Sequence, residues 1–112
     1  MATFERFDIV RVPFPFTDRQ ADKIRPALIV SDRAAFNRSA GHSVMAMITS
    51  ATHAPWPLDV PIGDLGSAGL PAPSIVRFKL FTLDHRLVRG KLGRLAEKDR
   101  AKMQKAMRLL LP

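Results

Sequence analysis

The chain is 112 residues long, carries 18 Lys and Arg against 10 Asp and Glu for a net charge of +8, and has no cysteine. At that length only one modest core can form, which excludes a two-domain enzyme with its own cofactor domain and sets the expectation of a single domain over residues 1–112. Disulfide scaffolds, thiolate zinc sites and cysteine nucleophiles also drop out; with no apolar run long enough to span a bilayer and no signal peptide, cytoplasmic residence is expected.

Residues 7–12 alternate around Ile9 and are stopped by Pro13 and Pro15, which reads as a first strand. The stretch 17–24 holds Asp18, Arg19, Gln20, Asp22 and Lys23 with no apolar periodicity before Ile24, and reads as an exposed loop. Short buried strands are expected at 27–30 and at 44–48, the latter with β-branched ends. Pro55, Pro57 and Pro61 bracket residues 56–60, the pattern of an edge strand, and 63–73 is rich in turn formers. Residues 74–83 alternate as one long strand, with Ile75, Val76, Phe78, Leu80 and Phe81 supplying apolar surface. Leu95, Met103, Met107 and Leu110 then form a stripe at helical spacing, with Glu97 and Asp99 early and Arg108 late, matching the helix dipole at both ends. The methionine stripe reads as core packing. Several short strands and one terminal helix predict a mainly β fold with α, a small SH3-like barrel closed by a C-terminal helix.

The charge is unevenly placed. Residues 1–76 are neutral, whereas residues 77–112 hold eleven basic and three acidic side chains and so carry the whole excess. That asymmetry predicts one strongly positive end and a polyanionic partner, nucleic acid or an acidic protein segment. His42, His53 and His85 lack the spacing of a metal site and read as loop or surface residues, so no metal or other cofactor is expected. The glycines at 63, 66 and 69 are turn formers without the lysine of a phosphate-binding loop.

Five segments carry a family resemblance: Pro13-Phe14-Pro15-Phe16-Thr17-Asp18, Arg25-Pro26-Ala27-Leu28-Ile29-Val30-Ser31, Ala35-Phe36-Asn37, Ile48-Thr49-Ser50, and Ser74-Ile75-Val76-Arg77 through Lys79-Leu80-Phe81-Thr82-Leu83-Asp84. In this order and spacing the chain resembles the MazF/PemK toxins of bacterial toxin-antitoxin systems. The resemblance implies a homodimer, metal-independent cleavage of single-stranded RNA, and restraint by a cognate acidic antitoxin. It also implies that Arg25 and Thr49 form the catalytic pair. Their chemistry suits such a cleavage. As a ribose 2′-OH attacks its own phosphate, charge builds on the phosphoryl oxygens, which a guanidinium fork stabilises and a hydroxyl holds in line. Arg19, Lys23, Arg77 and Lys79 are the candidates to bind the RNA phosphates. Two departures stand out: Lys79 occupies a place where some relatives have an acidic residue, and no histidine lies between Thr17 and Ile24. The alternative reading is a catalytically inactive RNA- or protein-binding barrel, or a CcdB-like gyrase poison. Against the poison, the chain ends Leu109-Leu110-Leu111-Pro112 and its only tryptophan is Trp56.

Overall fold

In a computed structural model, which describes residues 4–13 and 23–112, six antiparallel strands form one sheet that curls into a half barrel. The strands are β1 (Asp8–Pro13), β2 (Ile24–Ile29), β3 (His42–Ser50), β4 (Val60–Pro61), β5 (Ser74–Asp84) and β6 (Lys91–Arg94), in the spatial order β4-β5-β3-β2-β1-β6. A π-helical turn, Arg33–Asn37, runs into α1 (Arg38–Ala40) between β2 and β3; α2 (Leu65–Ala68) follows β4, and α3 (Glu97–Leu110) ends the chain. The expected small barrel with a terminal helix is what forms. Among the described residues, no helix is long and apolar enough to cross a membrane.

Strand alternation divides the apolar residues between two cores. Ile9, Leu28, Ala46, Ile48 and Val76 line one face, against which Leu95, Met103 and Ala106 pack. Val10, Val12, Ala27, Ile29 and Met45 line the other face with Phe4. The apolar residues of the strands thus fall on opposite faces of the sheet according to parity. The Met stripe does pack as core: Met103 is fully buried and Met107 partly so.

Three features differ from or go beyond the sequence reading. Residues 56–60 do not form an edge strand, because the Asp59 N–H donates to the Trp56 carbonyl (3.2 Å), the Trp56 N–H donates to the Asp59 carboxylate (2.9 Å), and Leu58 sits at φ +64°; only Val60–Pro61 pairs with β5. The short β6 has no sequence signal, since Leu92 is its one large apolar residue, yet it closes the sheet beside β1. Its approach to α2 is very close: a Cβ on Gly69, at φ +73°, would lie 2.1 Å from the Leu92 carbonyl oxygen. Nor does Asp99 merely complement the dipole of α3. Its buried carboxylate accepts the N–H groups of Gly63 (2.9 Å) and Asp64 (3.0 Å) and pairs with Lys102 (3.1 Å), tying the helix to the chain after β4. Burial opposes its ionisation, but the Asp64 and Gly63 N–H groups and the Lys102 ammonium prevail and hold the carboxyl below the ordinary range.

The fold also redistributes the charge. Because β6 lies beside β1, Lys91 and Arg94 from the basic segment meet Asp8 (3.2 Å each), and Arg94 also reaches Glu5 (3.2 Å). The sequence segregation is thus not a single positive end in space, since acids of the neutral part neutralise cations of the basic part.

Candidate active site

Arg25 and Thr49 are brought together by the register of the sheet. β2 and β3 pair as Ile29↔Met45, Leu28↔Ala46 and Ala27↔Met47, and the same register continued by two residues sets Arg25 opposite Thr49. The hydrogen bonds stop short of that point for a local reason. The Val30 N–H donates to the Val44 carbonyl across this ladder, so by alternation the donors of residues 28 and 26 also face β3. Residue 26 is proline and has none. The strands part there, and a cavity of about 270 Å³ opens between them, lined by Arg25, Pro26, Thr49, His53 and the segment 70–74.

His53, which also lines this cavity, is a residue that sequence reasoning set aside. β3 ends at Ser50 and the chain turns: the His53 N–H donates to the Ser50 carbonyl (3.2 Å), and the Ser50 hydroxyl lies 2.8 Å from that of Thr52. The turn swings the imidazole back, so that His53 Nδ1 lies 2.6 Å from Thr49 Oγ1. The available signal was the spacing of four residues between Thr49 and His53 across a strand end. A guanidinium, a hydroxyl and an imidazole thus share one open crevice, a set suited to a phosphodiester carried by an extended chain.

The four expected phosphate ligands fare differently. Arg19 lies outside the described residues, and Lys23 is exposed just before β2. Arg77 is turned inward: it is 8 % exposed, forms a two-pronged pair with Asp59 (3.0 and 3.2 Å), donates to the Ala54 carbonyl (2.7 Å), and lies 5.7 Å from the Trp56 ring centre. Its guanidinium is committed to the loop between β3 and β4 and is not offered to solvent. The structure therefore removes Arg77 from the set of free cations, a correction that needed its partner Asp59 to be visible. Lys79 is half-buried, its ammonium 4.9 Å from the centre of the same Trp56 ring and without an acidic partner among the described ion pairs. It is aimed there by an irregularity in β5: Ala46 pairs with Leu80 but Met47 with Arg77, leaving Phe78 and Lys79 as extra residues.

A larger cleft, about 790 Å³, lies between residues 63–64 and the start of α3. Its Asp64 and Asp99 carboxylates are both occupied by backbone N–H groups, so it reads as the seam that docks the helix rather than as a reaction site. Among the described residues no group of three or more His, Asp or Glu side chains is placed to hold a metal ion.

A curled antiparallel half barrel with a terminal helix, carrying an arginine- and hydroxyl-lined crevice at its strand ends, defines a small SH3-like barrel protein. The chain belongs to the PemK-like, MazF-like toxins of type II toxin-antitoxin systems, whose family model matches residues 5–111. Solved structures share the fold. An endoribonuclease from a Mycobacterial species, in complex with its cognate antitoxin, superposes with a TM-score of 0.75 at 23 % identity, covering 100 % of this chain and 98 % of that one. A MazE-MazF structure from Deinococcus radiodurans gives 0.73 at 21 % identity over 99 % and 97 % of the two chains. The Mycobacterium tuberculosis toxin MazF-mt6 gives 0.69 at 22 % identity over 89 % and 91 %. No curated protein sequence matches the chain.

Proposed function

We propose that this protein is the toxin of a type II toxin-antitoxin pair and acts as a metal-independent, sequence-specific endoribonuclease on single-stranded RNA. The observation that carries this reading is the convergence of Arg25 and Thr49 on one open cavity at the parting of β2 and β3. With a phosphodiester in the crevice, the 2′-oxygen attacks phosphorus, the Arg25 guanidinium takes up the charge growing on the phosphoryl oxygens, and the Thr49 hydroxyl donates to one of them. The products are a 2′,3′-cyclic phosphate and a 5′-OH. Lys23 and Lys79, with Arg19, hold the RNA backbone. The working unit is a homodimer of single 1–112 toxin domains, and an acidic antitoxin segment occupies the groove where RNA would lie, an arrangement that suits a chain of net charge +8. The family match and the solved Mycobacterial endoribonuclease with its cognate antitoxin support the assignment.

The test is incubation of the purified protein with a long RNA in EDTA, followed by mapping of the ends. Arg25→Ala should lower the rate by on the order of 10² to 10³ while RNA binding falls far less, because the charge it meets develops mainly in the transition state. A Mg²⁺ requirement, 5′-phosphate ends, or an Arg25→Ala variant as fast as the parent would overturn this mechanism.

A further inference from the structure

Arg25 is ill suited to be the base of such a reaction, since a guanidinium keeps its proton and has no lone pair to offer. Of the described residues that line the crevice, Thr49, Ser50 and Ser74 bring hydroxyls and Arg25 a fixed positive charge; only His53 brings a ring nitrogen whose lone pair can accept a proton. Its imidazole is anchored at one nitrogen and exposed.

We propose that His53 is the proton acceptor of the cleavage reaction, an inference that rests on the nuclease reading above. The 2.6 Å contact between His53 Nδ1 and Thr49 Oγ1 allows either partner to donate. When Nδ1–H donates, Thr49 keeps its own proton for the phosphoryl oxygen, and that hydroxyl becomes a better donor because its oxygen is already accepting a bond. The same tautomer places a lone pair on Nε2. That nitrogen takes the proton of the ribose 2′-OH as the 2′-oxygen–phosphorus bond forms. The phosphorus–5′-oxygen bond breaks with its electron pair on the 5′-oxygen, which is protonated by water, and the imidazolium returns its proton to the hydroxide so formed. No net proton or electron is gained or lost. The other walls of the crevice, Pro26 and residues 70–74, add no titratable side chain, so Arg25 is the one charged neighbour among the described lining residues.

The deciding variant is His53→Asn, whose side-chain N–H can still donate to Thr49 but which has no basic nitrogen. With the full-length protein, a long single-stranded RNA and EDTA, the parent should show a rate that falls on the acid side, as expected of a reaction that needs an unprotonated base. His53→Asn should be slower by about 10² near pH 7 and should lack that acid limb, because a positioned base contributes on this order. Binding of the same RNA with a 2′-deoxy sugar at the mapped cut site should stay within about twofold, and thermal unfolding should match the parent, as expected of an exposed side chain. If His53→Asn cleaves like the parent with the same pH profile while His53→Ala is slow, the residue only positions Thr49 and the proposal is overturned. If both variants match the parent, His53 has no role, and the nuclease reading stands. A parent that yields no 2′,3′-cyclic phosphate ends overturns both.

Discussion

Asp59→Ala should destabilise the protein by about 3 kcal/mol, because it strands a buried cation. Arg77 and Asp59 retain 9 % and 15 % of their side-chain surface, and together they pin the 51–59 loop, which carries both His53 and Trp56, onto β5. Removing one partner of a buried pair costs roughly 3–5 kcal/mol. The lower end applies here, since Arg77 would keep its bond to the Ala54 carbonyl and the face of the Trp56 ring. Against a total stability of about 5–15 kcal/mol, that loss shifts the folded-to-unfolded ratio by roughly two powers of ten. The Asp59→Ala/Arg77→Met double variant removes both charges and should be more stable than Asp59→Ala alone, a coupling of about 1–3 kcal/mol. Urea unfolding at a common m-value measures all three. An Asp59→Ala variant within about 0.5 kcal/mol of the parent would show that Arg77 is not the buried, dependent cation described above.

Asp99→Ala should cost about 2–3 kcal/mol by leaving the Gly63 and Asp64 N–H groups without their acceptor. Because the Asp99 carboxyl is held below its ordinary range, its contribution is complete above about pH 4 and is lost as the pH falls through the lowered value, so melting curves between pH 2 and 6 should converge for parent and variant at the acid end. Gly69→Ala should be clearly worse than Gly41→Ala in the same melts: both residues have positive φ, but only at Gly69 does the new methyl meet a carbonyl, whereas the space at Gly41 is open and the cost there is about 1 kcal/mol. With Arg77 committed to Asp59, three cations remain of the four expected to meet RNA, so the binding of an uncleavable RNA should weaken with salt at a log–log slope of about −2. A slope near zero in a fluorescence titration would refute electrostatic docking.

What the sequence could show depended on how locally each feature is determined. β3, β5 and the final helix were legible because each carries a local signal: an apolar run with β-branched ends, an alternating stretch over 74–83, and a stripe at helical spacing. β6 was not, for its four residues gain their place only by pairing with β1, far away in the chain. The same distinction separates the polar residues. Arg25 and Thr49 were legible through short motifs, whereas the inward turn of Arg77 depends on Asp59, eighteen residues earlier, and on a loop that closes on itself rather than extending. His53 falls between: its distance from Thr49 is local, but only the turn after Ser50 aims the ring back at the hydroxyl.

The Arg25-Pro26 dipeptide gains a physical meaning from this arrangement. An arginine in the middle of a paired strand would have its neighbours' backbone donors and acceptors consumed by the ladder, and nothing as large as a phosphate could come between it and the next strand. Proline at position 26 removes the one donor that would carry the β2·β3 ladder another step, yet the pairing of β2 with β1 continues through Arg11↔Pro26 and Val12↔Arg25 to Pro13↔Ile24. Arg25 is therefore held firmly from one side and freed on the other. The rigid side fixes where the guanidinium starts; the open side leaves room for Thr49 and His53 and, in the proposed reaction, for a phosphodiester. Catalysis by charge stabilisation requires a cation that is already in place when the charge appears, and a strand that is half paired and half open supplies that condition.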